Sequence, residues 1–358
     1  MSLSPQRLLG FAFASADLLV EIDEAGKITL AVGAGEALAG AAETALVGRG
    51  WREFVDPADA PVIEALFQGL ESAARRGPVV VKLAGAPGEA PKAAGFSACR
   101  LPYNVGAISC ALTRAAPVKT NGRHGLHDAA GFEAAARVLF DTAASTGVEL
   151  EMALIEMQGL TSARGRLDEA AAGAFDQRMS GALRAQSYGG SAAAGLGGDR
   201  YALVRQSGES VQALTDRLVR LLALDEHGVT PAARSMALTG EASPAQAIRA
   251  IRYALDSFIS DGMAATPIAS LGEAVQVSVR RTLEKAGALS AAVNDRRFRL
   301  VYQPVVSLKD GALHHHEALV RFGSEGSPFP AIRMAEEMDL IEALDGAVLE
   351  ETLAVLER

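Results

Sequence analysis

Residues 302–322, YQPVVSLKDGALHHHEALVRF, are the stretch on which the reading of this chain turns. Tyr302–Leu308 is β-branched and apolar, Lys309-Asp310-Gly311 is turn chemistry, and Leu313–Phe322 resumes the strand pattern. The stretch therefore reads as two strands around a turn. Strand side chains alternate between faces, which puts Glu317, Leu319 and Arg321 on one side. An acid and a guanidinium so placed can hold a metal ion and an anionic oxygen together. A surface ion pair on an edge strand has the same spacing and needs no function. The run His314-His315-His316 suggests zinc, but neighbouring strand residues face opposite ways, so only His314 and His316 share a side, away from Glu317. His315 shares the side of Glu317. Strand packing with a hydrogen-bonded imidazole explains the run without a metal.

YQPVVSL followed by HEALVRF resembles the opening of an EAL domain, the TIM-barrel phosphodiesterase module for cyclic di-GMP. Upstream, Leu196-Gly197-Gly198-Asp199-Arg200-Tyr201 resembles a decayed GGDEF motif, and the first hundred or so residues resemble a PAS domain. The resemblance implies a multidomain chain of α/β and α+β class. Its parts would be a PAS-like antiparallel sheet at 1–118, a degenerate GGDEF α/β domain at 125–262, a linker helix at 263–287 and the beginning of an EAL barrel at 288–358.

Bulk composition agrees with two to three packed domains: 358 residues, 49% hydrophobic, with aromatics at only 5%, so Ala, Leu and Val do the packing. A net charge of −9 argues against nucleic acid or an anionic membrane as partner, since both need basic surface. No run approaches the roughly 18 apolar residues of a membrane span. Residues 8–20 are apolar but lack a basic leader and contain Asp17, so a signal peptide is not expected and the chain reads as cytoplasmic. Two cysteines exclude a disulfide framework and a multi-Cys zinc site. If Gly95–Leu101 and Gly106–Thr113 form a hairpin around Asn104-Val105, Cys99 lands opposite Cys110. The alternatives are then two packed thiols, favoured by a reducing cytosol, or a redox switch.

Along the chain, Asp17–Asp23 and Lys27–Val32 flank a turn at Asp23–Gly26. Asp56-Pro57 supplies a helix start, with Asp59 in its first turn and apolar spacing through Val62, Ala65, Leu66, Gly69 and Leu70 up to Arg76-Gly77. Strands at Val79–Leu83, Gly95–Leu101 and Gly106–Thr113 complete a PAS order. Beyond a polar linker at Pro117–Gly125 come a helix at Ala129–Thr146, a strand at Leu150–Met157, a helix at Leu167–Gln186, and a hairpin of Ala192–Leu196 with Arg200–Val204. A helix at Val211–Leu224 and a strand within Val229–Leu238 follow. Ser243-Pro244 with Gln246 then starts a helix to about Ser260. Ile268, Leu271, Val275, Val279 and Leu283 mark an amphipathic linker helix, and helices are expected at Arg333–Ile341 and Leu344–Leu356.

The GGDEF resemblance implies a site that no longer works. Glu156 stands at the first metal-binding acid, but Thr161 replaces the lysine of the family's run. The guanine-reading asparagine falls at Arg164 and its partner aspartate at Gly173. Behind Gly197 and Gly198, Asp199 survives while the adjacent glutamate has become Arg200, a cation opposing two metal ions. The product-inhibition positions hold Tyr188 and Ser191. The chain is therefore not expected to be a diguanylate cyclase.

The EAL resemblance implies Glu317 as a metal ligand for Mg or Mn and Gln303 and Arg321 as contacts to cyclic di-GMP, with metal-activated water opening one phosphodiester to give pGpG. About seventy residues remain from Ala288, against roughly 250 in a TIM barrel, so a fragment of a longer protein is expected, inactive alone. No histidine precedes His124 and the flavin-binding Asn-Cys-Arg-Phe run is missing, so neither haem nor flavin is expected in the PAS-like part. Its role is then dimerisation and relay, or sensing of a small apolar ligand. The leading reading is a homodimeric, regulated cyclic di-GMP phosphodiesterase; the alternative is a non-catalytic cyclic di-GMP receptor or dimeric scaffold.

Overall fold

A computed structural model describes residues 12–71, 74–85, 90–102, 106–120, 122–238, 244–263, 271–323, 328–337 and 340–357. The chain divides into two compact units, the first ending at Val275 and the second beginning at Gln276. Its class is the expected one, multidomain with α/β and α+β parts. No helix among the described residues is long and apolar enough to cross a membrane.

The first unit opens with β1 (Leu18–Ile22) and β2 (Ile28–Gly33), an antiparallel pair. Its turn is held by Asp23, which accepts the Lys27 N–H at 2.8 Å, and by Gly26 at φ +77°. Short helices α1 (Gly35–Ala39) and α2 (Glu43–Leu46) lead to a 3-10 turn at Trp51–Phe54 and to α3 (Ala60–Gln68). Then come β3 (Arg75–Leu83), β4 (Lys92–Cys99) and β5 (Ile108–Arg114). The sheet runs β2-β1-β5-β4-β3, antiparallel throughout, with two strands before the helices and three after as expected of a PAS-like sheet. Alternation along β1 sends Leu18, Val20 and Ile22 into a core shared with Phe54, Ile63, Leu66, Val81 and Phe96.

Two expectations fail here. Helix α3 begins at Ala60, because Asp56 instead stabilises the preceding turn by accepting the Ala58 N–H at 2.9 Å, and it ends before Arg76-Gly77, which belong to β3. Cys99 lies opposite Ser109, and Cys110 opposite Ala98. That one-residue offset turns the two side chains to opposite faces of the sheet, so they do not meet as a bridge. Both thiols are free. Burial, with Cys99 adding to it, pushes the Cys110 thiol far above its ordinary value. The Asn104-Val105 turn lies outside the described residues.

The same unit continues with α4 (Ala129–Thr146), β6 (Leu150–Gln158), α5 (Leu160–Arg164), α6 (Glu169–Gln186), β7 (Ala193–Gly197) and β8 (Arg200–Gln206). It closes with α7 (Val211–Leu222), α8 (Leu224–His227), β9 (Thr230–Ala237) and α9 (Pro244–Asp261). Asp128, Asp168 and Ser210 cap α4, α6 and α7, each accepting the N–H three residues on. Asp168 is why α6 starts at Glu169 and not at Leu167. Ser243, expected to open α9, lies outside the described residues.

This sheet runs β7-β8-β6-β9 and is covered on both sides. Met152 and Leu154 of β6 face Phe132, Ile251 and Phe258, while Ala153, Ile155 and Met157 face Phe175, Leu183 and Leu218. Two covered faces explain the continuous apolar run of β6.

The two sheets of this unit meet where α3 packs on α6. A methyl at Gly181 of α6 would lie 2.6 Å from the carbonyl carbon of Pro61, and one at Gly190 would lie 2.7 Å from Val79 Cβ. Glycine permits this approach. Between them Arg184 forms a buried ion pair with Asp59 and donates to the carbonyls of Val80 at 3.1 Å and Gly190 at 3.2 Å. The second Asp59 oxygen accepts the Lys82 N–H at 2.7 Å.

Helix α10 (Leu271–Asn294) carries the chain across the boundary between the units. Of the apolar spacing read there, Ile268 and the side chains of Leu271, Val275, Val279 and Leu283 lie outside the described residues. The second unit contains β10 (Phe298–Val306), β11 (Leu313–Phe322), α11 (Phe329–Glu337) and α12 (Ile341–Leu356). Strand β10 starts four residues before Tyr302 because Phe298 and Leu300 pack, with Val320 and Phe322, on Leu289, Val293, Ala335 and Leu344.

Candidate functional site

In the second unit β10 and β11 pair antiparallel, with Gln303 opposite Glu317, Val301 opposite Leu319 and Arg299 opposite Arg321. Directly opposed residues share a face, so Gln303, Glu317 and Arg321 stand together. The other face, carrying Phe298, Leu300, Val320 and Phe322, packs on the helices. Gln303 and Glu317 are exposed and Arg321 is half-buried, its Nη1 donating to the Val320 carbonyl at 2.9 Å. The Glu317 carboxylate has no hydrogen bond or ion pair among the described residues. It is an open carboxylate with an amide opposite and a guanidinium two pleats away.

Val305 pairs with His315 and Val306 with Leu313, so His314 is the extra residue of a bulge. Its Nδ1 lies 2.8 Å from that of His315, and the two rings meet edge to face at 5.0 Å. All three histidines are exposed, so the expected strand packing is not seen among the described residues, while the expected hydrogen-bonded imidazole is. Among the described residues no group of three or more His, Cys, Asp or Glu converges as a metal site.

In the four-stranded domain, the positions read as a decayed nucleotide site are tied to one another and to their neighbours. Gly197 and Gly198 adopt φ +94° and +58° and turn the β7–β8 hairpin. Asp199 accepts both the N–H and the hydroxyl of Thr161, at 3.0 and 2.5 Å. Glu156 and Arg200 are directly opposed on β6 and β8, with Nε to Oε1 at 3.2 Å. Arg164 donates to Asp176 at 2.7 Å and to the Tyr201 hydroxyl at 2.9 Å. Burial pushes the Tyr201 hydroxyl above its ordinary value against the opposing pull of Arg164. Gly173 is on α6 with open space where a side chain would be. Tyr188 lies in a 3-10 turn, and the Ser191 carbonyl is 2.9 Å from His127 Nε2. Sequence reading found these positions but not their partners. Asp176 and Tyr201 lie 12 and 37 residues from Arg164, with no local signal to join them.

Residues 286–358 match the EAL domain family model. No curated protein matches the chain. Among solved structures, the chain is similar to the PAS domain of an HTR-like protein from Haloarcula marismortui (19% identity, 31% of this chain and 90% of that one, TM-score 0.27). It is also similar to the GGDEF domain of DgcB from Caulobacter crescentus in complex with c-di-GMP (12% identity, 44% of this chain and 97% of that one, TM-score 0.28). A third similarity is to the S helix-GGDEF-EAL portion of LapD from Vibrio cholerae bound to c-di-GMP (13% identity, TM-score 0.29). That match covers 65% of this chain and 56% of the other.

Proposed function

We propose that this chain belongs to a cytoplasmic, homodimeric cyclic di-GMP signalling protein, without nucleic-acid or membrane partners. In it residues 125–262 are not a cyclase, and residues 288–358 supply the first part of a phosphodiesterase site. One observation carries the reading: Gln303 and Glu317 oppose each other and share with Arg321 the hairpin face left open by the helices, within the segment that matches the EAL family. Arg321 presents a planar fork suited to a phosphate oxygen, and Gln303 offers both donor and acceptor to the dinucleotide. Glu317, open and unpaired, suits a divalent ion better than a structural role.

A Mg or Mn site needs around six oxygen ligands, and Glu317 is one carboxylate. The described residues do not by themselves fit the ion, so this chain alone is read as inactive and the activity as that of a complete barrel.

The reading of residues 125–262 follows from charge. Glu156 is matched by Arg200, Asp199 is taken by Thr161, and Arg164 is held by Asp176 and Tyr201. Phosphoryl transfer on a triphosphate needs carboxylates open to metal, which this arrangement withholds. In the five-stranded domain, a cavity of about 360 Å³ at the β1–β2 turn places Trp51 and Phe67 beside Glu24, Glu64 and Arg100. Such a lining does not suit a small apolar ligand, and dimerisation and relay are kept as the reading of this domain's role.

The test is hydrolysis of cyclic di-GMP to pGpG, with Mg or Mn, by a protein in which these residues stand in a complete EAL barrel. Turnover that is lost in Glu317→Gln is expected. Tight binding without turnover would replace the phosphodiesterase with the second reading, a non-catalytic receptor or scaffold.

A further inference from the structure

The chain leaves the four-stranded domain at the C-terminal end of α9. That helix stops at Gly262, φ +77°, whose N–H returns to the Phe258 carbonyl at 3.0 Å. A helix end carries carbonyls without intrahelical partners and a partial negative charge. One of these carbonyls, that of Ile259, accepts a hydrogen bond from Arg200 Nη1, and the same guanidinium stands 5.9 Å from the Phe258 ring centroid.

On its other side Arg200 holds Glu156, whose Oε2 accepts the Met263 N–H at 3.4 Å. A methyl on Gly262 would lie 3.0 Å from both Arg200 Nη2 and Glu156 Oε1, so the pair is closed around this stop. The side chains retain 28% and 18% exposure, less than a free surface pair, and solvent screening is correspondingly reduced. Paired with each other, the two groups carry no net charge toward a divalent ion.

We propose that Glu156 and Arg200 form a latch on the end of α9, fixing the point from which the chain proceeds toward the EAL-matched residues. The cation meets the carbonyl end of the helix, and the carboxylate meets the Met263 N–H just past Gly262. In this role Arg200 makes its contacts at the helix end independently of any nucleotide chemistry. The latch rests on the geometry alone and holds whether or not residues 288–358 bind cyclic di-GMP.

Hydrogen exchange on the full chain tests it, comparing Arg200→Ala, Arg200→Lys and Glu156→Gln with the wild type. In Arg200→Ala the amides of 257–263 are expected to exchange roughly tenfold faster, with β6 and β8 unchanged, the signature of a local opening. Arg200→Lys keeps a charge at the helix end and falls between alanine and wild type. Glu156→Gln keeps an acceptor for Met263 and also shows an intermediate rate. Unchanged protection at 257–263 in Arg200→Ala overturns the latch. So does equal acceleration in β6 and β8, or a lysine variant no slower than the alanine one.

Discussion

Arg184 on α6 and Asp59 before α3 are joined across 125 residues of sequence by an ion pair of 2.5 Å, with both residues more than nine-tenths buried. Each charge is further satisfied by backbone: Asp59 by the Lys82 N–H, Arg184 by two carbonyls. The pair therefore stitches the five-stranded sheet to the four-stranded domain at a point largely shielded from water. Removing one partner leaves the other charged and buried, which costs about 3–5 kcal/mol. Arg184→Ala is expected to lower unfolding stability by an amount in that range. Asp59→Asn, which keeps an acceptor for Lys82, is expected to cost less. Urea denaturation of both single variants and the double variant measures the coupling, and a coupling near zero would mean that the junction does not depend on this pair.

Helix α6 carries its own control for close packing. Gly181 faces Pro61 with no room for a methyl, whereas Gly173, one turn from the helix start, has nothing near it. Gly181→Ala forces the α3–α6 contact apart and is expected to cost about 1–3 kcal/mol. Gly173→Ala is expected to stabilise by about 0.5–1 kcal/mol, since alanine is the better helix former. Thermal melts of the two variants should move in opposite directions.

A second contact crosses the same junction and should respond to pH. Glu209 accepts from Arg217 at 2.9 and 3.1 Å and from Arg76 of β3 at 3.0 Å. The Arg217 hydrogen bonds, helped by the charges of Arg217 and Arg76 and opposed by burial, hold its carboxyl below the ordinary value of 4.5. A carboxyl with a depressed folded-state pKa contributes stability above 4.5 and loses it as the pH falls through the lower value. Glu209 is more than a third exposed, so the contribution is about 0.2–1 kcal/mol. Wild-type stability should therefore fall more steeply below pH 4.5 than that of Glu209→Gln in parallel denaturation curves.

Much of this architecture is legible in local sequence because local chemistry decides it. Asp128 and Gly147 bracket α4 at Ala129–Thr146, with a side-chain cap at one end and a left-handed stop at the other. The alternation around Tyr302–Phe322 gives the shared face of Glu317 and Arg321. What escapes is set by partners distant in sequence. Asp56-Pro57 is a sound helix start taken alone, yet the helix waits until Ala60, with the Asp59 carboxylate given to Lys82 and Arg184. The register of β4 on β5 escapes for a related reason: a slip of one residue leaves composition and spacing untouched but exchanges every face.

That register makes a claim about oxidation. Cys99 is half-buried and faces away from Cys110, which is 3% exposed with its thiol pushed far up by burial. The thiolate is the reactive form, so Cys110 should be inert and the half-buried Cys99 should be the thiol that reacts. Mild peroxide followed by intact mass under non-reducing conditions should show no intramolecular bridge, and native thiol titration should find Cys99 alone. A loss of two hydrogens without added oxygen would mean that the strands re-register.

The shared face of β10 and β11 sets the last expectation. Arg321 lies opposite Arg299 and two pleats from Glu317 on the open face of the hairpin, where we place a phosphate of the ligand. A hydrogen bond to a charged group contributes about 1.5–3 kcal/mol, which is roughly 10- to 150-fold in affinity. In a protein with a complete barrel, Arg321→Ala should weaken cyclic di-GMP binding by that factor, as read by calorimetry. Arg321→Lys should restore little of it, because an ammonium lacks the planar pair of donors. Glu317→Gln should lose turnover while keeping most of the binding, since the role proposed for Glu317 is toward the ion. If Arg321→Ala bound the dinucleotide as tightly as the wild type, the ligand would not lie on this face, and the grouping of Gln303, Glu317 and Arg321 would be a feature of the strand pattern alone.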